Sequence, residues 1–214
     1  MKCRFIDTGD NDAFTNMAID EALLINSKIP ILRVYSWKPE AVSIGYNQDI
    51  NKEINVNECK KNNLDIVRRI TGGKAVFHDK EITYTFILPK NNNLLPFEIN
   101  ESYKIIANAL LIALKKININ AEVKKVPEKI ATSICFNSSN WYELLVNNKK
   151  ISGSAQRRFS EKILQHGSIL MDFDCNKNNL LFNTTNPLDD INNLKNRITS
   201  LKRELNKIID YNEL

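Results

Sequence analysis

The sequence predicts an α+β fold: a mixed, largely antiparallel sheet with flanking helices. Three observations point to it. β-rich runs come in clusters joined by turn residues, as at 31–44 and 65–89. Stretches with apolar residues at helical spacing lie between those clusters. No βαβ rhythm with a glycine fingerprint exists: "TGGKAV" is neither G-x-G-x-x-G nor G-x-x-x-x-G-K-[ST], so neither a Rossmann nor a P-loop fold is indicated.

Taken in order, "NMAIDEALL" (16–24) has helical spacing, with Asn16 as its candidate cap. "ILRVYSW" and "AVSIGY" alternate as strands do, and "KPE" between them reads as a turn, so a hairpin is expected. "NKEINVNECKKNN" has the pattern of an amphipathic helix. "LDIVRRI" is a strand broken by "TGGK", and "AVFHD" and "EITYTFILP" are two more strands. After the loop "NNNLLP" comes the longest helical pattern, "FEINESYKIIANALLIALKKI". "NAEVKKV" reads as a strand and "PEKIATSICFNSSN" as an irregular loop. "WYELLVNNKKISGSAQRRF" has hairpin form, with Asn147-Asn148 suited to left-handed turn positions. "KILQHGSILMDF" is a strand, and the tail from Pro187 is polar and helical. A single catalytic domain over residues 1–214 is expected, with 187–214 its helical C-terminal segment.

Composition narrows the function. At 214 residues, 43% hydrophobic and 26% charged, the chain can bury a sizeable core and is not a disordered protein. It has no run of about 18 apolar residues to span a membrane. The start, "MKCRFIDTGDNDAF", lacks the apolar core of a signal peptide, so a cytoplasmic protein is expected. The formal charge of +5 is a mild excess that suits an acidic partner. Its basic runs are seldom interleaved with aromatics, which argues against nucleic acid. The four cysteines, Cys3, Cys59, Cys135 and Cys175, form no C-x-x-C pair, so a zinc site is not indicated and reduced thiols are expected.

Four places could carry chemistry. In "RRITGGKAVFHD", Gly72 and Gly73 can let a thin ligand lie on bare backbone, and Arg69 can pair with a carboxylate or phosphate; a plain hairpin explains the block equally well. In "KKISGSAQRR", Lys150 can polarise a carbonyl near Gly153, although a lysine after an Asn-Asn turn is more often solvated. His78 and His166 (in "QHGSIL") each read first as structural histidines. Cys135 lies in a polar, irregular stretch, where a nearby cation would make it a nucleophile.

Together these blocks resemble one family. "RRITGGKAVFHD", "KKISGSAQ" and "QHGSIL", with "NMAIDEALL" and "LRVYSWKPEAVSIGYNQ" before them, are similar to the motifs of the lipoate–protein ligase and octanoyltransferase superfamily, over about residues 5–175. "SICFNSSNWYELLVNNKKISGSAQ" resembles its LipM-type octanoyltransferases, which have a cysteine shortly before a Tyr-Glu strand. The resemblance implies the class II aminoacyl-tRNA synthetase and biotin–protein-ligase-like catalytic fold. It implies octanoyl transfer from acyl carrier protein, through a thioester on Cys135, to a lysine of a lipoyl domain or the glycine-cleavage H protein. Lys150 then matches the active-site lysine. Arg69, Gly72, Gly73 and His78 match one side of the acyl pocket; Gly153, Ser154 and Ala155 match the opposite wall, and His166 and Gly167 the motif beside it. No cofactor, metal, membrane or nucleic acid is implied. The alternative is an ATP-dependent lipoate–protein ligase, in which Mg and ATP enter and Lys150 contacts a phosphate. A third reading is a non-catalytic protein that holds lipoate or an acyl chain, in which Cys135 is dispensable.

Overall fold

The computed structural model describes residues 2–90, 95–96, 98–124, 142–159, 161–184 and 186–213. Its strands are β1 (Arg4–Asn11), β2 (Ile31–Trp37), β3 (Ala41–Ile44), β4 (Asp65–Arg68), β5 (Val76–His78), β6 (Glu81–Pro89), β7 (Glu122–Val123), β8 (Leu144–Val146), β9 (Lys149–Arg158) and β10 (Lys162–Leu170). Its helices are α1 (Ala13–Asn26), α2 (Ile50–Glu53), α3 (Val56–Lys61), α4 (Ile99–Lys116), α5 (Cys175–Leu180), α6 (Pro187–Arg197) and α7 (Leu201–Leu205). Seven strands form a large sheet in the order β1-β2-β6-β10-β9-β8-β7, and β4-β3-β5 form a small one. In the large sheet only β1 and β2 pair in parallel; in the small sheet β3 runs parallel to β4 and antiparallel to β5. The mixed, mostly antiparallel α+β expectation therefore holds.

The large sheet has two differently used faces. Alternation along β6 sends Tyr84 and Leu88 toward α4, where they cluster with Ile106. The same alternation sends Thr83, Thr85 and Ile87 the other way, toward α1 and the small sheet. There Thr85 bonds the α1 carboxylate of Asp20, and Ile87 packs against Leu24 of α1. The helix α4 is amphipathic as its pattern requires, burying Ile106, Ala107 and Leu114. Among the described residues no helix is long and apolar enough to cross a membrane.

Several local expectations need correcting. β2 and β3 do not form a hairpin: after the turn at 38–40 the chain leaves the large sheet, and β3 becomes the centre of the small one. The helix over 51–63 is two short helices, α2 and α3, separated at Ile54–Asn55, where Ile54 bridges to Phe182 and Asn55 caps α3. Asn16 does not cap α1. Asp12 does, accepting the Thr15 N–H at 2.8 Å, and Asn16 is fully buried inside the helix. The Asn147-Asn148 turn forms as expected, with φ of 50° and 62°. The loop 91–94 and most of the stretch around Cys135 lie outside the described residues.

Candidate functional site

The two sheets lean together and leave a narrow cavity between them. Its walls are mostly apolar atoms, with Trp37 and Met17 at one side and Gly153 to Ala155 at the other. Arg69, Gly73 and His78 reach it from the small sheet and its loop; His166 and Gly167 reach it from β10. Eight of the residues singled out from sequence therefore line one cavity, although they are spread over a hundred positions of chain.

Arg69 organises the loop around the paired glycines. It is buried, and its guanidinium donates to the carbonyls of Gly72 and Lys74 at 2.8 and 2.7 Å, to Ser43 Oγ at 3.1 Å and to Thr71 Oγ1 at 3.2 Å. Its donors are thus largely used to fix backbone. The glycine pair is not symmetric. Gly73 has φ of +89°, in the region that side chains disfavour, whereas a Cβ on Gly72 would meet open space. The tightest requirement falls on Gly45, which sequence reading missed: a Cβ there would overlap the Gly73 carbonyl. The loop and the end of β3 thus meet backbone to backbone. Gly167 is also constrained, because a Cβ would sit 2.8 Å from the Tyr84 hydroxyl and 2.6 Å from the Gly153 carbonyl.

Both histidines are held in buried networks. His78 Nε2 lies 2.7 Å from Ser43 Oγ, its Nδ1 lies 2.7 Å from Glu81 Oε1, and the Trp37 ring stacks on it at 3.9 Å. Glu81 also accepts from Thr83 and Ser168 at 2.7 and 2.6 Å. His166 Nε2 lies 2.6 Å from Thr71 Oγ1, with Nδ1 3.4 Å from Asp20. Asp20 is the hub beneath the cavity. Its carboxylate accepts from Arg33 at 2.7 Å, Thr85 at 2.8 Å and Tyr35 at 3.1 Å. Burial works against that carboxylate, but hydrogen bonding from His166 and the Arg33 and Thr85 contacts outweigh it and hold Asp20 below the ordinary carboxylate range. Burial lowers the His166 pKa, and its Asp20 contact offsets only part of that. These arrangements make stiff walls, with most polar side-chain atoms committed to a neighbour, although Glu81 Oε2 has no hydrogen-bond partner among the described residues.

Lys150 is not in solvent. It is 4% exposed and its ammonium donates to Glu143 Oε1 at 2.6 Å; Glu143 is also 4% exposed. The strand geometry explains how it is aimed. Gly153 and Ala155 face the cavity, whereas Ile151, of the same parity, packs with Leu144 and Leu114 on the α4 side. A register shift resolves the conflict: Leu144 pairs with Ser152 but Leu145 pairs with Lys150, leaving Ile151 as an extra residue. The bulge turns Lys150 back to the cavity side of the sheet. At about 3.3 Å per residue, it stands roughly 10 Å along β9 from Gly153. Its backbone is also clasped by Ile198, which bridges to it, and by Thr199, whose N–H donates to the Lys150 carbonyl at 2.9 Å.

Cys135 lies outside the described residues. Of the described cysteines, Cys3 is exposed and Cys59 and Cys175 are buried; burial, with Glu58 nearby, pushes the Cys59 thiol up to about 11, which leaves it inert. Gly72 contributes its carbonyl to Arg69 rather than a wall to the cavity. Glu143, Asp20, Trp37 and Gly45 were all missed from sequence. All four lie inside stretches quoted for their resemblance, Asp20 in "NMAIDEALL", Trp37 and Gly45 in "LRVYSWKPEAVSIGYNQ" and Glu143 after the tyrosine of the Tyr-Glu strand, but nothing local set them apart there.

Comparison with known proteins agrees with this architecture. The model of the lipoyl protein ligase A/B catalytic domain matches residues 12–214. The chain is 43% identical over 182 residues to octanoyltransferase LipM of Staphylococcus aureus, covering 79% of this chain and 66% of that protein. It is 42% identical over 192 residues to octanoyltransferase LipM of Halalkalibacterium halodurans, covering 84% of this chain and 70% of that protein. The chain thus spans about two thirds of the length of these relatives. A crystal structure of lipoate-protein ligase A bound with ATP shares the fold, with a TM-score of 0.81 at 20% identity, over 100% of this chain and 81% of that one.

Proposed function

Because the chain belongs to the lipoyl protein ligase A/B catalytic-domain family, we propose that it is an acyltransferase that moves octanoyl from acyl carrier protein to a lysine of a lipoyl domain, through a thioester on Cys135. The observation that carries this reading is the narrow apolar cavity walled by the strand that also holds a buried, ion-paired Lys150. An unbranched acyl chain suits such a space, and its burial would contribute about 0.8 kcal/mol per CH₂. The identity to two proteins named octanoyltransferase supports the same chemistry.

In the first half-reaction the Cys135 sulfur attacks the carrier's thioester carbonyl. A new C–S bond forms, the carrier's sulfur leaves, and it takes the proton that Cys135 gave up. In the second, the neutral amine of the acceptor lysine attacks the acyl-enzyme. A C–N bond forms, the Cys135 sulfur leaves, and the amine's proton passes to it. Thioester to amide is downhill, so no nucleotide is consumed. Lys150 stabilises the negative oxygen that develops in each addition. In the ligase reading Lys150 would bind a phosphate. The glycine-cleavage H protein is the first acceptor to test.

Intact-mass measurement tests this directly. The protein is mixed with octanoyl–acyl carrier protein without ATP, beside Cys135→Ala. The expected result is a hydroxylamine-sensitive octanoyl adduct on the native chain, absent from the variant and chased onto an H protein. Acylation of the H protein only from free acid plus ATP would instead make the protein a ligase and Cys135 an ordinary thiol.

A further inference from the structure

The buried ionisable groups of this protein differ in how they are tied. Asp20 and Glu81 each accept bonds from two or more strands, so they hold the fold together whatever the reaction. Glu143 is different. Among the described residues, Lys150 is the group that donates to its side chain, at 2.6 Å, and both residues are sealed from water. An ion pair this deep is a poor stabiliser, because desolvation offsets the attraction and apolar residues of similar volume would serve as well. Its geometry, however, is specific. The β8–β9 register shift turns Lys150 to the cavity side of the sheet and sets it opposite Leu145, two residues beyond Glu143, which immediately precedes β8. The acid at the start of β8 and the base on β9 therefore meet across the hairpin.

We infer that Glu143 is the positioning residue for Lys150: its carboxylate keeps the lysine a charged ammonium and holds it in one rotamer on the cavity side of β9. This rests on the reading that Lys150 acts on the acyl group. Two requirements make the assignment physical. A buried lysine without a counter-charge sheds its proton or swings toward water. A neutral amine in this position would stabilise a developing oxyanion poorly, and it would compete with the acceptor lysine for the acyl group. The carboxylate suppresses both, because it keeps the amine protonated and so non-nucleophilic. Glu143 need not touch substrate to do this.

Two measurements on the full chain test the inference. In the first, native protein is treated briefly with sulfo-N-hydroxysuccinimide acetate, and acetylation at Lys150 is mapped relative to the exposed Lys115. E143Q is expected to raise the ratio by about tenfold, the rise in free amine for a pKa lower by about one unit; an unchanged ratio overturns the inference. In the second, octanoyl transfer is expected to fall about tenfold or more in E143Q. E143D, which keeps the charge, should recover much of it, and E143Q should cost nothing further in a K150M background. Native rates in E143Q, or an added loss in K150M, overturn it. If E143Q folds poorly, E143Q/K150M removes both charges together and is compared with K150M. If the native protein transfers no octanoyl group, the functional reading falls, and the acetylation ratio alone decides whether Glu143 holds Lys150.

Discussion

Asp20 shows how a single carboxylate can brace the floor of a cavity. It is fully buried, yet four donors from α1's neighbours converge on it, and Arg33 supplies the compensating charge. Removing its charge leaves Arg33 buried and unpaired. Asp20→Asn should therefore cost about 3–5 kcal/mol, read as a lower urea midpoint at unchanged slope. The same cluster predicts an acid-side weakness. His166 is lowered from its ordinary 6.5 and Asp20 from 3.8, so the unfolded chain binds more protons than the folded one. Stability is then complete above the histidine's ordinary value. It falls as pH drops below that value through the His166 window, and falls again as the Asp20 carboxylate is protonated. Urea midpoints measured from neutral to acidic pH should show the two steps, and His166→Gln should abolish the upper one; a flat profile down to the carboxylate range would contradict it.

Among the elements, the β8–β9 hairpin matters most, because it fixes where Lys150 arrives. Its two-residue turn puts both Asn147 and Asn148 at positive φ, the twist that suits a tight hairpin. Asn148→Val should cost about 1–2 kcal/mol, whereas Asn148→Gly should be neutral or stabilising; thermal melts distinguish them. The valine variant should also lose more octanoyl transfer than its melting shift explains, since slack in the turn moves Lys150 against Glu143. The Asn-Asn signal was legible locally because turn residues act through their own backbone. The bulge at Ile151 was not, because "KKISGSA" alternates regularly and only packing against α4 reveals the extra residue. The expected 31–44 hairpin failed for the same reason. A turn can be read from "KPE", but nothing local says that the strand after it joins another sheet. β1 escaped notice because "RFIDTGDN" has only two apolar residues and lies at the sheet edge.

At the scale of the whole molecule, the cavity belongs to neither sheet alone. Its walls come from α1, both sheets and the loop between β4 and β5, so no single stretch of sequence describes it. The family motifs located its glycines, arginine and histidines. They contain Asp20 and Trp37 without singling them out, because the partners of each sit tens of residues away and their own neighbourhoods read as ordinary helix and strand. The net charge of +5 belongs to this scale too. If both protein partners are acidic, raising salt from low to physiological strength should lower kcat/KM for octanoyl–acyl carrier protein and leave turnover of a neutral octanoyl thioester unchanged. Equal salt effects on both donors would remove steering from the account.

The clasp on Lys150 by Ile198 and Thr199 has a consequence in time. A chain is made from its N-terminus, and the cavity walls up to Ser168 emerge well before residue 198. The residues that wall the apolar slot are therefore all made before the segment whose Thr199 bonds the Lys150 carbonyl. When the segment between α6 and α7 docks, that carbonyl gains the Thr199 N–H. A segment made after every wall of the cavity thus helps to set when Lys150 is held in place.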